Sequence, residues 1–146
     1  MAITTNAIAN SFKKELLEGK HDFTQTSGDQ FKLALYTNSA TLGASTTSFT
    51  TDNQVGASGQ YTSGGGKLAK GSQNTSVASG VAIVDFADRS FTGVTLTARG
   101  ALIYNTSNSN TAVCVLDFGG DKTATSGTFT IQFPAFTTSA AILRIS

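Results

Sequence analysis

Residues 80–105 read GVAIVDFADRSFTGVTLTARGALIYN, and three apolar runs in this span decide the fold. The runs cover 81–86, 94–98 and 101–104; Asp88, Arg89 and Ser90 punctuate the first gap and Gly100 the last. Short runs rich in Val, Ile, Leu and aromatics, bounded by turn formers, predict strands. In VAIVDF, Ala82, Val84 and Phe86 share one face and Val81, Ile83 and Asp85 the other. Both faces are largely apolar, so this strand is expected to be covered on both sides. In VTLTA, Val94, Leu96 and Ala98 alternate with Thr95 and Thr97, the pattern of a strand wet on one face.

The same pattern extends outward in both directions. Upstream, QFKLALYT (30–37) alternates Phe31, Leu33 and Leu35 against Lys32, Ala34 and Tyr36, which predicts a half-buried strand entered through the turn residues Gly28 and Asp29. Downstream, AVCVLDF (112–118) predicts a strand, Gly119–Asp121 a turn, Ser126 and Gly127 another turn, and TFTIQF (128–133) a strand ended by Pro134. AAILRI (140–145) predicts the last strand. With weak strands near 67–70 and 74–78, the pattern amounts to seven or eight strands and one helix. The expected fold is mainly β: an antiparallel β-sandwich, jelly-roll-like, with a short N-terminal α-helix; a partly open barrel is the alternative.

The helix is expected over 6–18. Ile8, Phe12, Leu16 and Leu17 form one apolar stripe, Thr5 or Asn6 stands where a cap belongs, and Gly19 stands where a helix stops. So short a helix is marginal alone in water and must dock its stripe. The expected organisation is an N-terminal helical arm over 1–20 and one β-sandwich domain over 21–146, with a long flexible connection at about 38–80. The arm docks either on its own domain or on a neighbouring subunit. The connection carries scattered anchors, Phe49 and Tyr61 among them, and binding surfaces concentrate on such loops. Ile8, Phe12, Leu16, Phe49 and Tyr61 are therefore the candidate partner-binding residues.

Composition narrows the classes of function. The chain has 146 residues, a single-domain length, and only 13% of them are charged, about half the usual share. Low charge suits a protein held in an assembly, or one whose exposed strands pair through hydroxyls. A net charge of +1 gives no electrostatic case for nucleic acid. No run reaches the roughly 20 apolar residues of a membrane helix, and MAITTNAIANSF lacks the basic and apolar regions of a secretory signal. The single Cys114 lies in an apolar run and reads as a buried, inert thiol.

Catalytic patterns are missing from the sequence. His21, the only histidine, lies in a polar connection and reads as a solvated loop residue without a second metal ligand nearby. SGGG followed by Lys67 has Leu68 where a phosphate-binding loop needs Ser or Thr. The phrases VDFAD and LDFGGD place Asp85, Asp88, Asp117 and Asp121 at strand ends, and these acids read as turn caps at one rim rather than as a glycosidase pair or a calcium site. Arg99 with Asp85 is an expected structural ion pair, and Tyr36, Tyr61 and Tyr104 read as core or rim packing. The expectation is no enzyme, no catalytic residue, no metal and no cofactor.

Several of these stretches resemble a known family. FKLALYT with NSATLGASTTSFTTDNQV, FADRSFTGVTLTARGALIYN, AVCVLDFGGDKTATSGTFTIQFP and the opening MAITTNAIANSFKKELLEGKHDF resemble small virion-associated structural proteins of tailed bacteriophages. The glycine-rich stretch 63–71 is where the chain departs from that pattern. The resemblance implies a non-enzymatic particle protein made in the bacterial host cytoplasm and located in the virion. The leading expectation is a capsid decoration or cement protein. Its partners would be itself, as a homo-oligomer of trimeric type, and the major capsid protein or a tail protein, with no nucleic acid and no membrane. The alternative is a tail, baseplate or fibre module that binds another tail protein or a host-surface glycan.

Overall fold

The computed structural model describes residues 3–70 and 74–146. Parts of the expected arm (1–2) and of the long connection and its glycine-rich stretch (71–73) lie outside the described residues. The elements run β1 (Ala7–Ile8), α1 (Asn10–Leu17), β2 (Phe31–Tyr36), β3 (Gly66–Lys67), β4 (Thr75–Ala78), β5 (Val81–Val84), β6 (Arg89–Asn105), β7 (Thr111–Ile131) and β8 (Leu143–Ile145). The protein is mainly β, with antiparallel sheets and one short helix. One sheet has the order β1-β7-β6-β2-β3 and the other β4-β5-β8, a pairing of sheets compatible with a sandwich.

The strands on either side of Gly100 are one strand, and so are those on either side of 119–127. β6 has 17 residues and β7 has 21. The expected turns are irregularities inside the β6–β7 ladder. Between the pairs Gly100↔Asp117 and Ala98↔Lys122, one residue of β6 faces four of β7. Gly119 (φ 78°) adopts the left-handed conformation there, and Ser126 (φ 46°) does so at a second irregularity, between the pairs Leu96↔Ala124 and Val94↔Gly127. A left-handed residue serves a bulge as readily as a turn, which is why the local signals misled. Hydroxyl pairs lace the outer part of this ribbon: Ser90 with Thr130 and Thr97 with Thr123, each at 2.8 Å.

β2 is more buried than its alternation predicts. Its second face carries Ala34 and Tyr36, both fully buried. The segment after β2 folds back over that face: the Tyr36 hydroxyl donates to the Thr50 carbonyl (2.6 Å) and Phe49 stacks on Tyr104 with ring centroids 4.6 Å apart. The same segment extends the sheet edge beyond the short β3. The Val55 amide donates to the Leu35 carbonyl (2.9 Å) and the Thr37 amide to the Asn53 carbonyl (3.0 Å). On the first face, Phe12, Phe23, Phe31, Phe86 and Phe133 form a run of ring contacts linking α1 to the sheet.

The helix begins later than its apolar stripe predicts. Ala7 and Ile8 pair with Val115 and Cys114 at the free edge of β7, so Ile8 belongs to β1. Ladder bonds to an otherwise open edge outweigh one extra helical turn. Neither expected cap is used: Asn6 Oδ1 accepts the Asp117 amide (2.7 Å), and Ala9, without a side-chain cap bond, precedes α1. Gly19 (φ 73°) does end the helix, with its amide on the Leu16 carbonyl at 3.2 Å. Residues 3–17 lie against the chain's own sheet, with Ile3, Ala9 and Phe12 in the core.

Candidate functional site

α1 and the small sheet leave an open apolar groove between them, about 370 Å³ in volume. Phe12, Leu16 and Leu17 form one wall, and Ala82, Val84, Leu143 and Ile145 the other. Register explains the second wall. Val77 pairs with Ala82 and Ala82 with Ile145, so the three lie side by side on one face of the small sheet. All three are exposed, and Leu17 across the groove is 91% exposed, the most exposed large apolar side chain of the described residues. The expectation that VAIVDF is covered on both faces therefore fails at Ala82, which is exposed; on the other face Ile83 and Asp85 are buried and Val81 is half-buried. The small sheet has protein packed against it on one part only, and the groove is where cover is missing. Lys13 and Arg144 stand at its edge.

Three of the five predicted partner-binding residues, Ile8, Phe12 and Leu16, line this groove. The other two do not. Phe49 is half-buried on Tyr104. Tyr61 is a correction: it is fully buried, packed edge-on against Phe91 at 5.1 Å. Its hydroxyl accepts the Leu35 amide (2.8 Å) and donates toward Gln54 Oε1 (3.2 Å), so it closes the β2 edge where β3 has run out. Ala82 and Ile145 are groove residues that periodicity missed, and Val77, paired with Ala82, extends their exposed row beyond the groove. The juxtaposition of Ala82 with Ile145 depends on pairing between strands far apart in sequence, which no local signal carries.

His21 is the second correction. It is 6% exposed, not solvated. Its Nε2 lies 2.7 Å from Glu15 Oε2, its Nδ1 lies 3.0 Å from Asn105 Nδ2, and its ring sits 4.7 Å from that of Phe12. Asn105 Nδ2 also donates to Asp29 Oδ2 (2.8 Å). With an amide nitrogen facing Nδ1, that atom accepts and Nε2 carries the proton toward Glu15. The chain reversal at Gly19 brings Glu15 and His21 together, so no helical spacing announces the pair. The arrangement ties the end of α1 to the end of β6.

The acids of VDFAD and LDFGGD hold backbone and neighbouring side chains. Asp88 Oδ1 accepts the Phe133 amide and Asp117 Oδ1 the Gly119 amide, each at 2.8 Å; Asp121 Oδ2 accepts Asn38 Nδ2 at 3.0 Å. Arg99 pairs with Asp117 and not with Asp85. Asp85 is buried, and burial raises its carboxyl above the usual range. In the glycine loop, the Gly64 amide donates to Gln54 Oε1 (2.6 Å) and the Gly65 amide to the Thr62 carbonyl (2.9 Å), so both are engaged internally. Cys114 is buried, and burial pushes its thiol up to about 12. Among the described residues no group of three or more His, Cys, Asp or Glu converges as a metal site, and no helix is long and apolar enough to cross a membrane.

Comparison with protein-family models, curated proteins and solved structures finds no match to this chain.

Proposed function

We propose that this chain is a non-enzymatic structural protein of a tailed-phage particle, a capsid decoration or cement protein that works through protein–protein contacts. The observation that carries the reading is the uncovered apolar face made by Leu17 and the row Val77, Ala82 and Ile145. A contiguous exposed apolar surface marks an interaction site in an otherwise polar protein. The groove seats a neighbouring copy of the chain in a closed homo-oligomer, the usual way a soluble chain covers such a face. The low charge and the hydroxyl-laced strands fit a protein that works packed among other subunits. The resemblance of its stretches to virion-associated proteins supplies the setting.

The test has two arms. Leu17→Glu and Ala82→Glu change exposed side chains, so the fold should survive by circular dichroism. Sedimentation should report an oligomer for the parent chain and a monomer for the variants. An oligomer indifferent to both substitutions, or a monomeric parent, overturns the seat in the groove. Particles lacking the chain should lose resistance to heat and osmotic shock, and particles that keep full resistance overturn the cement role. Electron microscopy of labelled particles assigns the chain to head or tail.

A further inference from the structure

A second opening, about 480 Å³ in volume, lies between the 25–30 turn, the residues from β3 to Lys70, and the first residue of β6. Its charged lining is Lys67, Lys70, Arg89 and Asp29, three cations against one carboxylate. That carboxylate is already engaged, since Asp29 Oδ2 accepts the Asp22 amide (3.0 Å) and Asn105 Nδ2 (2.8 Å). The ion pairs among the described residues take Lys14, Lys20, His21 and Arg99, and none takes Lys67, Lys70 or Arg89.

Two of these cations are held in place rather than left to wave in solvent. The Arg89 guanidinium carbon sits 4.7 Å from the Phe91 ring centroid. It also lies close against Gly66, where a Cβ would collide with the guanidinium. Its Nε is shut off from solvent and has no partner among the described residues. Lys70 Nζ donates to the Thr24 carbonyl at 2.8 Å and lies 6.0 Å from the Phe31 ring centroid. An arginine fixed by stacking, facing a polar cleft and lacking an acid, is an arrangement whose ordering cost is met before any ligand arrives. Because Nε is sealed inside the fold, a ligand in the cleft meets the terminal nitrogens of the guanidinium and not Nε. The glycine loop is not the receptor, because the Gly64 and Gly65 amides are spent internally.

We propose that this cleft binds an oxyanion, a carboxylate or phosphate group on a small ligand. Arg89 and Lys67 make the charge-assisted contacts, and Lys70 pins the turn while adding to the positive field. Guanidinium and ammonium donors form their strongest hydrogen bonds with such oxygens. The site is separate from the apolar groove and does not depend on a particle role.

Isotope-labelled full chain titrated with inorganic phosphate, with glucuronate, and with chloride at equal ionic strength tests it. Phosphate or glucuronate should shift the amides of 66–70 and 89–91 saturably, and chloride should not. The anion that saturates tells phosphoryl from carboxylate recognition. Arg89→Gln should weaken binding about tenfold, the loss of one charge-assisted contact. Lys67→Gln, at an exposed side chain, should weaken binding in the same direction and carries the test if Arg89→Gln does not fold. Shifts no larger than those with chloride, shifts confined to other residues, or binding indifferent to the substitutions overturn the assignment.

Discussion

Replacing Tyr61 by Phe isolates one hydroxyl in the core. The ring keeps its edge-on contact with Phe91 at 5.1 Å, so no cavity opens and no apolar surface is lost. What disappears is the acceptor for the Leu35 amide at 2.8 Å. Leu35 is fully buried on a strand whose β3 partner covers only Lys32 and Leu33, so neither water nor backbone replaces that acceptor. Gln54 Oε1 loses its contact with the hydroxyl but keeps the Gly64 amide, so the penalty falls on Leu35. An unsatisfied buried amide costs about 1–3 kcal/mol, and we expect about 2 kcal/mol here. For a chain of 146 residues that corresponds to a melting temperature lower by about 6 °C. Urea denaturation gives the free energy, and amide exchange should show Leu35 losing protection more than its neighbours on β2. A change below about 0.5 kcal/mol, within the range of ordinary surface substitutions, refutes the reasoning. It would mean that water reaches the β2 edge and that the segment over it is not closed.

Two further outcomes follow from the site. His21→Ala should destabilise the chain by about 2 kcal/mol, since it strips Glu15 and Asn105 of a buried partner; exchange at the α1 amides should rise first, and unchanged exchange there would detach His21 from the helix. Cys114, with its thiol pushed up to about 12 by burial, should resist thiol reagents at pH 8 in the folded chain and react once urea unfolds it; fast labelling under native conditions would place it at the surface.

Strand identity was legible wherever one face of a segment is wet. VTLTA announces its pattern because its outward threonines meet solvent and its inward residues do not. The extent of the strands was not legible. Gly119 and Ser126 signal a left-handed backbone, and only the partner strand decides whether that backbone reverses the chain or bulges within a ladder. The helix start failed for a similar reason. Ile8 fits the helical stripe, but β7 offers an open edge that the periodicity of residues 6–18 cannot reveal. At the groove, the helical wall was visible in Phe12 and Leu16. The sheet wall was not, since Ala82 meets Ile145 and Val84 meets Leu143 only through long-range register. Tyr61 and His21 carried no local mark of burial, because Tyr61 is enclosed by β2 and Phe91, and His21 by Asn105 together with helix residues that reach it only through the chain reversal at Gly19.

The β6–β7 ribbon also orders the assembly of the chain in time. Its strands are joined by five residues, 106–110, so closing it immobilises little chain, and pairing then spreads outward from that turn. β2 and β1 reach the ribbon only by closing far longer loops, and each adds to an edge that the ribbon must first provide. During synthesis the first 88 residues therefore leave the ribosome ahead of the template on which they settle.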